Sequence, residues 1–172
     1  DLATRFNSRF GETFVVPEAH IVKETAKIYD LQNPTAKMSK SAETEAGLIK
    51  VLDPAKVTTK KIMRAVTDDG AEIRFDRAEK PGVSNLLTIF SVLSGRTIES
   101  IEAEFAGLGY GHLKKAVAEV VEASLTPVRE RTEELMADPA ELDRLLARGA
   151  DRANELASAT LGRVYEAVGL LR

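Results

Sequence analysis

Apolar residues recur at helical spacing from the start of the chain. Leu2, Phe6 and Phe10 lie four positions apart, which predicts an amphipathic helix. Gly11 follows at a position where helices commonly end. The pattern begins abruptly at Asp1, with no Met and no signal-peptide pattern before it. We therefore expect a fragment of a longer protein, the alternative being the loss of only a short leader.

The next stretches lack helical spacing and are typical of short strands. Residues 13–22, "TFVVPEAHIV", are apolar and β-branched and are broken by Pro17. Residues 26–31, "AKIYDL", form a second candidate, and Pro34 closes it. Short strands beside helices predict the edge of an α/β domain.

After Ala46 the pattern becomes helical, with Asp53 and Pro54 as an N-cap and a first helical residue. Pro127 lies inside a long apolar pattern and predicts a kink or a break. Gly149 separates the last two patterns, which predicts two helices there. The apolar stripes of the predicted helices lie within residues 62–66, 83–90, 98–105, 113–136, 142–146 and 153–168.

Composition narrows the class of protein. Of 172 residues, 44% are hydrophobic, 30% charged and 5% aromatic, which favours a helix-rich domain with one good core. The formal net charge is −3, so any contact with nucleic acid needs a local basic patch. No cysteine is present, which excludes disulfides and thiolate metal sites. No apolar run approaches the length of a membrane span.

One polar stretch carries candidate chemistry. Residues 33–45, "NPTAKMSKSAETE", concentrate two lysines and two serines between a proline and an acidic run, with neither helical nor strand periodicity. Such a loop suits a polyanion such as a nucleoside triphosphate. An ordinary solvated surface loop is the other interpretation, and for a generic lysine–serine run it is the better one.

The residues of this loop and of several other stretches resemble the sequence motifs of a known family. Residues 37–41 spell KMSKS, the signature loop of class I aminoacyl-tRNA synthetases. "DLATRFN", "KKIMRAVTD", "PGVSNLL", "YGHLK" and the ending "GADRANELASATLGRVYEAVGL" occur in the order found in bacterial-type tryptophanyl-tRNA synthetases. The resemblance covers nearly the whole chain, and tyrosyl-tRNA synthetase is a narrower alternative.

The resemblance implies a mainly α chain, a helical bundle preceded by the last piece of a Rossmann-type α/β catalytic domain. Residues 1–46 would finish that domain, and residues 47–172 would form a helical anticodon-recognition region. The helices from about residue 138 would pack back on the catalytic domain. The family's His-Ile-Gly-His and Gly-x-Asp-Gln signatures are absent, so we expect the C-terminal part of a ligase, inactive alone.

The same resemblance implies residue roles and partners. Lys37 and Lys40 would be the catalytic cations on the phosphates of ATP. Met38 would lie near the adenosine, and the main chain of Ile28 would meet adenine. Ser39 and Ser41 would bind phosphates or shape the loop. The implied substrates and partners are ATP with Mg²⁺, L-tryptophan and tRNA(Trp), in a cytoplasmic homodimer. A non-catalytic helical binding module is the rival from another class.

Other candidates are weaker. The glycine-rich residues 107–112 lie between helices with no strand before them, so a structural role is favoured. His20 and His112 are far apart, and we predict no protein metal site. Basic side chains after the loop either meet tRNA phosphates or form a solvated face: Lys56, Lys60, Lys61 and Arg64, with Lys114, Lys115, Arg129 and Arg131 as lesser candidates.

Overall fold

The structure is a computed structural model, and it describes residues 1–20, 27–42 and 44–170. In these ranges no strand is formed, and the mainly α prediction is confirmed. The only β pairing there is an isolated antiparallel bridge between Tyr29 and Lys37. The helices are α1 (Leu2–Phe10), α2 (Ala55–Met63), α3 (Pro81–Ser94), α4 (Ile98–Phe105), α5 (Tyr110–Ala137) and α6 (Pro139–Val168).

The prediction of two short strands is wrong for the described residues. Residues 13–20 contain no strand, and residues 27–31 contain only the bridge at Tyr29. The remaining positions of the two stretches, 21–22 and 26, lie outside the described residues. A β-branched apolar stretch becomes a strand only where neighbours continue its hydrogen-bond ladder, and a single bridge does not supply one.

Local signals account for most helix ends. Gly11 and Gly95 follow α1 and α3 with positive φ values of 89° and 70°. Thr97 caps α4 by accepting the Ser100 N–H in its side chain. At α2 the prediction is off by one residue, since Pro54 is extended (ψ 143°) and serves as the N-cap.

The two long helices are more continuous than predicted. α5 continues through Pro127 as one helix, so the predicted break is wrong. α6 runs through Gly149, so the predicted separation into two helices is also wrong. A single Gly costs a helix only about 1 kcal/mol, which a helix of this length absorbs.

The chain divides into two compact units. Unit 1 comprises residues 1–20 and 133–172, and unit 2 comprises residues 21–132. These units do not coincide with the predicted division at residue 46, which stays a prediction about the complete protein.

Unit 2 contains every fully buried hydrophobic residue of the described chain. Its centre is α3, where all positions from Gly82 to Phe90 are buried. The Phe90 ring meets the Phe105 ring of α4 edge-on, with 6.0 Å between centroids. The buried core is completed by side chains from several other elements, including Leu31, Ile62, Ile73, Ile101, Leu113, Val117 and Val121.

Unit 1 is held by a small aromatic group and by main-chain contacts. The Phe6 ring lies 4.9 Å from that of Phe10 and 5.0 Å from that of Phe14. The Asn7 amide donates to Phe14 C=O at 2.7 Å. α6 has no buried residue. Among the helices that the structure describes, none has both the length and the apolar character needed to cross a bilayer.

Candidate functional site

The polar stretch singled out by the sequence forms a short hairpin. Met38 N–H donates to Ile28 C=O at 3.0 Å, and Asp30 N–H donates to Ala36 C=O at 2.9 Å. We call residues 28–41 the signature hairpin. It brings the six predicted site residues together: Ile28, Lys37, Met38, Ser39, Lys40 and Ser41.

The tip of the signature hairpin is a tight turn stabilised by its own side chains. Ala36 N–H donates to Asn33 C=O at 2.9 Å, with Pro34 at the second position of the turn. The Asn33 side chain accepts from the Thr35 hydroxyl at 2.7 Å. The Asp30 carboxylate accepts two main-chain N–H bonds, at 2.7 and 3.0 Å. Local polar residues therefore fix the direction in which the chain enters the lysine-bearing segment.

A buried amide attaches the signature hairpin to α3. The Asn85 side chain donates to Tyr29 C=O and accepts from Tyr29 N–H, both at 2.9 Å. These two bonds satisfy the main-chain groups of Tyr29 as a neighbouring strand would. The Asn85 side chain that makes them is itself buried, with 4% of its surface exposed. Sequence reasoning missed this contact. The available signal was an amide inside an otherwise apolar helical stripe, because a buried polar group is the informative exception.

The signature hairpin turns its cations outward and its methionine inward. Lys37, Lys40 and Ser41 are exposed, whereas Met38 and Ser39 are half-buried. Neither lysine forms an ion pair with any residue that the structure describes. The hydroxyls of Ser39 and Ser41 lie 3.1 Å apart.

Met38 anchors the loop by packing against the core cluster. With Ile28 it also lines an open apolar pocket of about 200 Å³, together with Ile49 and side chains of α3 and α5. The two lysines are thus presented from a base whose side chains are held by apolar contacts.

A second group of cations lies beside the hairpin on α2. Lys61 is committed to structure, because its Nζ donates to Asp53 at 2.6 Å and to Leu48 C=O at 2.8 Å. Lys61 and the three other cations all line a cavity of about 450 Å³, which we call the basic cleft. It is lined by Gln32, Ala46, Lys56, Val57, Lys60, Lys61 and Arg64.

A charged triad that the sequence did not reveal links α3 and α5. The Asp68 carboxylate accepts from Tyr110 Oη at 2.6 Å and from Lys80 Nζ at 3.0 Å, and Lys80 also donates to Tyr110 Oη at 2.9 Å. Burial of Asp68 opposes its ionisation, but these bonds and one from Gly70 N–H outweigh it and lower the Asp68 pKa to about 2. The bond to Tyr110 and the bond to Asp68 raise the pKa of Lys80.

The weaker candidates have ordinary surroundings. The glycine-rich stretch contributes Gly107 and Gly109, both with positive φ, to the turn after α4, and Tyr110 begins α5. His112 Nδ1 lies 2.6 Å from Leu108 C=O, and His20 is exposed. Within the described ranges no three His, Asp or Glu side chains gather as metal ligands would. Burial lowers the pKa of Lys114, whose Nζ contacts Thr67 at 3.3 Å.

Comparison with known proteins identifies the family. Residues 1–126 match the model of the tRNA synthetases class I (W and Y). The chain therefore belongs to this family.

Within the family, relatives of high identity include tryptophan–tRNA ligases. The tryptophan–tRNA ligase of Leifsonia xyli is 60% identical over 172 residues, which are 100% of this chain and 51% of the relative. The tryptophan–tRNA ligase of Bacillus subtilis is 46% identical over 172 residues, which are 100% of this chain and 52% of the relative. The chain thus spans about half the length of the curated relatives that it matches.

Two solved structures agree with this assignment. Tryptophanyl-tRNA synthetase from Mycoplasma pneumoniae matches with a TM-score of 0.87 and 33% identity, over 99% of this chain and 53% of that one. The enzyme from Campylobacter jejuni, solved with ADP and tryptophan, matches with a TM-score of 0.63 and 31% identity, over 98% of this chain and 51% of that one.

Proposed function

We propose that this chain is the part of a tryptophan–tRNA ligase that supplies the signature loop of the ATP site. The observation that carries the proposal is the signature hairpin itself. It holds Lys37 and Lys40 exposed, without a carboxylate partner among the described residues, on a base fixed by Met38 and Asn85. The similarity to tryptophan–tRNA ligases supports the choice of amino acid.

The proposed reaction needs positive charge beside the phosphates in its transition state. A carboxylate oxygen of tryptophan attacks the α-phosphorus of ATP. The bond from that phosphorus to the bridging oxygen breaks, giving tryptophanyl-adenylate and pyrophosphate. Charge accumulates on the phosphate oxygens as pyrophosphate leaves. Lys37 and Lys40 supply ammonium groups that stabilise this charge more in the transition state than in bound ATP.

Other hairpin groups position the nucleotide. Ile28, which lies beside Met38 in the signature hairpin, would meet adenine through its main chain, as the family resemblance implies. Met38 supports the loop from below, beside the adenosine. Ser39 and Ser41 have hydroxyls for the phosphates. The described residues contain no group of three His, Asp or Glu side chains placed to hold Mg²⁺, so we assign the ion that would accompany ATP to none of these described residues.

The complete ligase would then transfer tryptophan from the adenylate to tRNA(Trp). We propose a cytoplasmic enzyme that acts as a homodimer, on the family resemblance alone. The division into residues 1–46 of the catalytic domain and residues 47–172 for anticodon recognition belongs to the same proposal. The isolated chain is expected to form no adenylate.

The test is tryptophan-dependent ATP–pyrophosphate exchange, measured without tRNA. We would compare this chain alone with a chimaera in which it replaces the matching half of the Leifsonia xyli ligase. Exchange by the chimaera with tryptophan, and none by the chain alone, is the expected result. Exchange with tyrosine instead would reassign the amino acid. A folded chimaera with no exchange would contradict the proposal and favour the binding-module alternative.

A further inference from the structure

A second pocket lies between the turn of the signature hairpin and α3. Pro34 and Thr35 of the turn line it, and so does Pro81 at the start of α3. Its lining includes none of the six predicted site residues, and its volume is about 230 Å³. Pockets for drug-sized ligands typically measure about 300–1,000 Å³, so this one suits a smaller molecule. We call it the hairpin pocket.

The hairpin pocket carries a single charge. Among the described residues that line it, Arg77 alone is charged. Arg77 forms no ion pair with any residue in the described ranges, whereas the nearby Arg74 is paired with Asp76 at 2.8 Å. A cation that the protein does not neutralise, placed beside a pocket, favours an anionic ligand. One positive charge matches one negative charge.

Aromatic rings hold the guanidinium of Arg77 in place. Its central carbon lies 5.7 Å from the centroid of the Tyr29 ring and 5.4 Å from that of the Phe75 ring. One of its N–H groups also reaches Tyr29 Oη, at 3.4 Å. These contacts orient the guanidinium without neutralising it. Its planar fork of N–H donors matches a carboxylate, which can accept two parallel hydrogen bonds from it.

α3 adds polar side chains to the same pocket. Ser84, Asn85 and Thr88 all line it, and all three are buried. Ser84 Oγ accepts from Asp76 N–H at 2.8 Å, and Thr88 Oγ1 donates to Ser84 C=O at 2.8 Å. Because a hydroxyl can both donate and accept, these two bonds leave the Ser84 proton and the Thr88 lone pairs for a ligand. The pocket therefore suits a ligand that has a hydroxyl as well as a carboxylate.

The same lining disfavours two other classes of anion. No Asp or Glu side chain is among the described residues that line the pocket, so the ammonium group of a free amino acid would be desolvated without a partner. A phosphate dianion or a polyphosphate carries more negative charge than Arg77 alone can balance. A small acid with one carboxylate, one hydroxyl and no ammonium fits the pocket best.

We propose that the hairpin pocket binds a small hydroxy acid, with Arg77 on its carboxylate and Ser84 and Thr88 on its hydroxyl. Such a ligand contacts both the hairpin turn and α3, so its binding joins these two elements and stabilises the signature hairpin. The inference goes beyond the proposed function and does not depend on it.

The experiment titrates the ¹⁵N-labelled chain with lactate and with mandelate, a smaller and a larger hydroxy acid, and follows the amide resonances. Two molecules with the skeleton of mandelate test the chemistry. Mandelamide lacks the negative charge, and phenylglycine has an ammonium group in place of the hydroxyl. Inorganic phosphate tests the other source of an oxyanion.

Three variants test the assignment of Arg77. Arg77→Gln removes the charge, and Arg77→Lys keeps the charge but not the planar fork. Arg74→Gln is the matched control, because Arg74 is also exposed, lies three residues away and does not line the pocket. Thermal unfolding of each variant verifies that it is folded.

We expect at least one of the two hydroxy acids to shift the resonances of Thr35 and Arg77, with half-saturation at about 1–10 mM. Arg77→Gln should weaken this binding about 10- to 100-fold, the range expected for hydrogen bonds to a charged group. Arg77→Lys should lose less, and Arg74→Gln should bind within about twofold of the unmodified chain. Bound ligand should also slow hydrogen exchange at Ala36, whose N–H donates to Asn33 C=O within the turn.

Several results would overturn the proposal. One is the absence of saturable shifts with both hydroxy acids, and another is unchanged binding by a folded Arg77→Gln variant. Equal binding of mandelamide or phenylglycine would remove the chemical argument. Tighter binding of phosphate than of either acid would indicate a phosphate site instead. Exchange by the chimaera is measured without a hydroxy acid, so its outcome judges the proposed function separately from the hairpin pocket.

Discussion

Replacing Asn85 with Leu is expected to loosen the signature hairpin from the core. The Asn85 side chain makes two 2.9 Å hydrogen bonds to the main chain of Tyr29. Leu has a similar volume and can make neither bond, so the Tyr29 N–H and C=O both lose their partner. An unpaired buried polar group costs about 1–3 kcal/mol. Since Tyr29 is only half-buried, we expect a total loss of about 2–4 kcal/mol in unfolding free energy.

Two measurements separate this local effect from a general loss of stability. Urea unfolding gives the total change. Amide hydrogen exchange at Asp30 and Met38, whose N–H groups join the two sides of the hairpin, reports on the hairpin itself. In the absence of urea, where both proteins are folded, we expect these amides to exchange faster in the Asn85→Leu variant than in the unmodified chain.

The control is Asn154→Leu, the same chemical change at an exposed position of α6. It is expected to alter the unfolding free energy by less than about 0.5 kcal/mol. If Asn85→Leu unfolds at the urea concentration of the unmodified chain, or leaves exchange at Met38 unchanged, then Asn85 does not hold the hairpin.

The remaining predictions concern pH and packing. Because the Asp68 pKa is about 2 in the fold and ordinarily 3.8, its ionised form stabilises the fold above about pH 4, and this contribution of about 2 kcal/mol is lost as the pH falls towards 2. Urea unfolding of Asp68→Asn should show a shallower dependence over that range; an equally steep one would mean that other carboxyls carry it. Gly82→Ala should destabilise by at least about 1–3 kcal/mol, since a Cβ there would lie 2.0 Å from Val66 C=O. Gly149→Ala, whose Cβ would meet no atom within 4 Å beyond the neighbouring helix backbone, should stabilise α6 by up to about 1 kcal/mol. A loss of stability in both glycine variants would refute the packing argument.

Features that depend on neighbouring residues in the sequence could be predicted. The ends of α1, α3 and α4 follow from Gly11, Gly95 and Thr97, because capping uses groups within a few residues. The KMSKS residues also lie together on the chain, so their grouping needed no knowledge of the fold. Gly149 shows the limit of such signals, because a helix long enough to tolerate one glycine does not end there.

Features that depend on distant residues could not be predicted. The contact from Asn85 to Tyr29 joins positions 56 apart, and that from Tyr110 to Asp68 joins positions 42 apart. Each requires the helices to be placed in space before the donor and acceptor can be paired. The same holds for Lys61 on α2. The sequence grouped it with the neighbouring basic residues, and only the fold shows that it forms an ion pair with Asp53.

The proposed function requires the signature hairpin to stabilise the transition state of tryptophan activation. The most direct measurement is single-turnover formation of tryptophanyl-adenylate by the chimaera carrying Lys40→Ala. Lys50→Ala is the matched control, since Lys50 lies shortly after the loop and pairs with Glu45 on the surface. Loss of one such donor commonly slows a reaction about 10²–10³-fold. We predict a decrease of that size for Lys40→Ala, with little change in ATP affinity, and none for Lys50→Ala. Equal rates for both variants would contradict the claim.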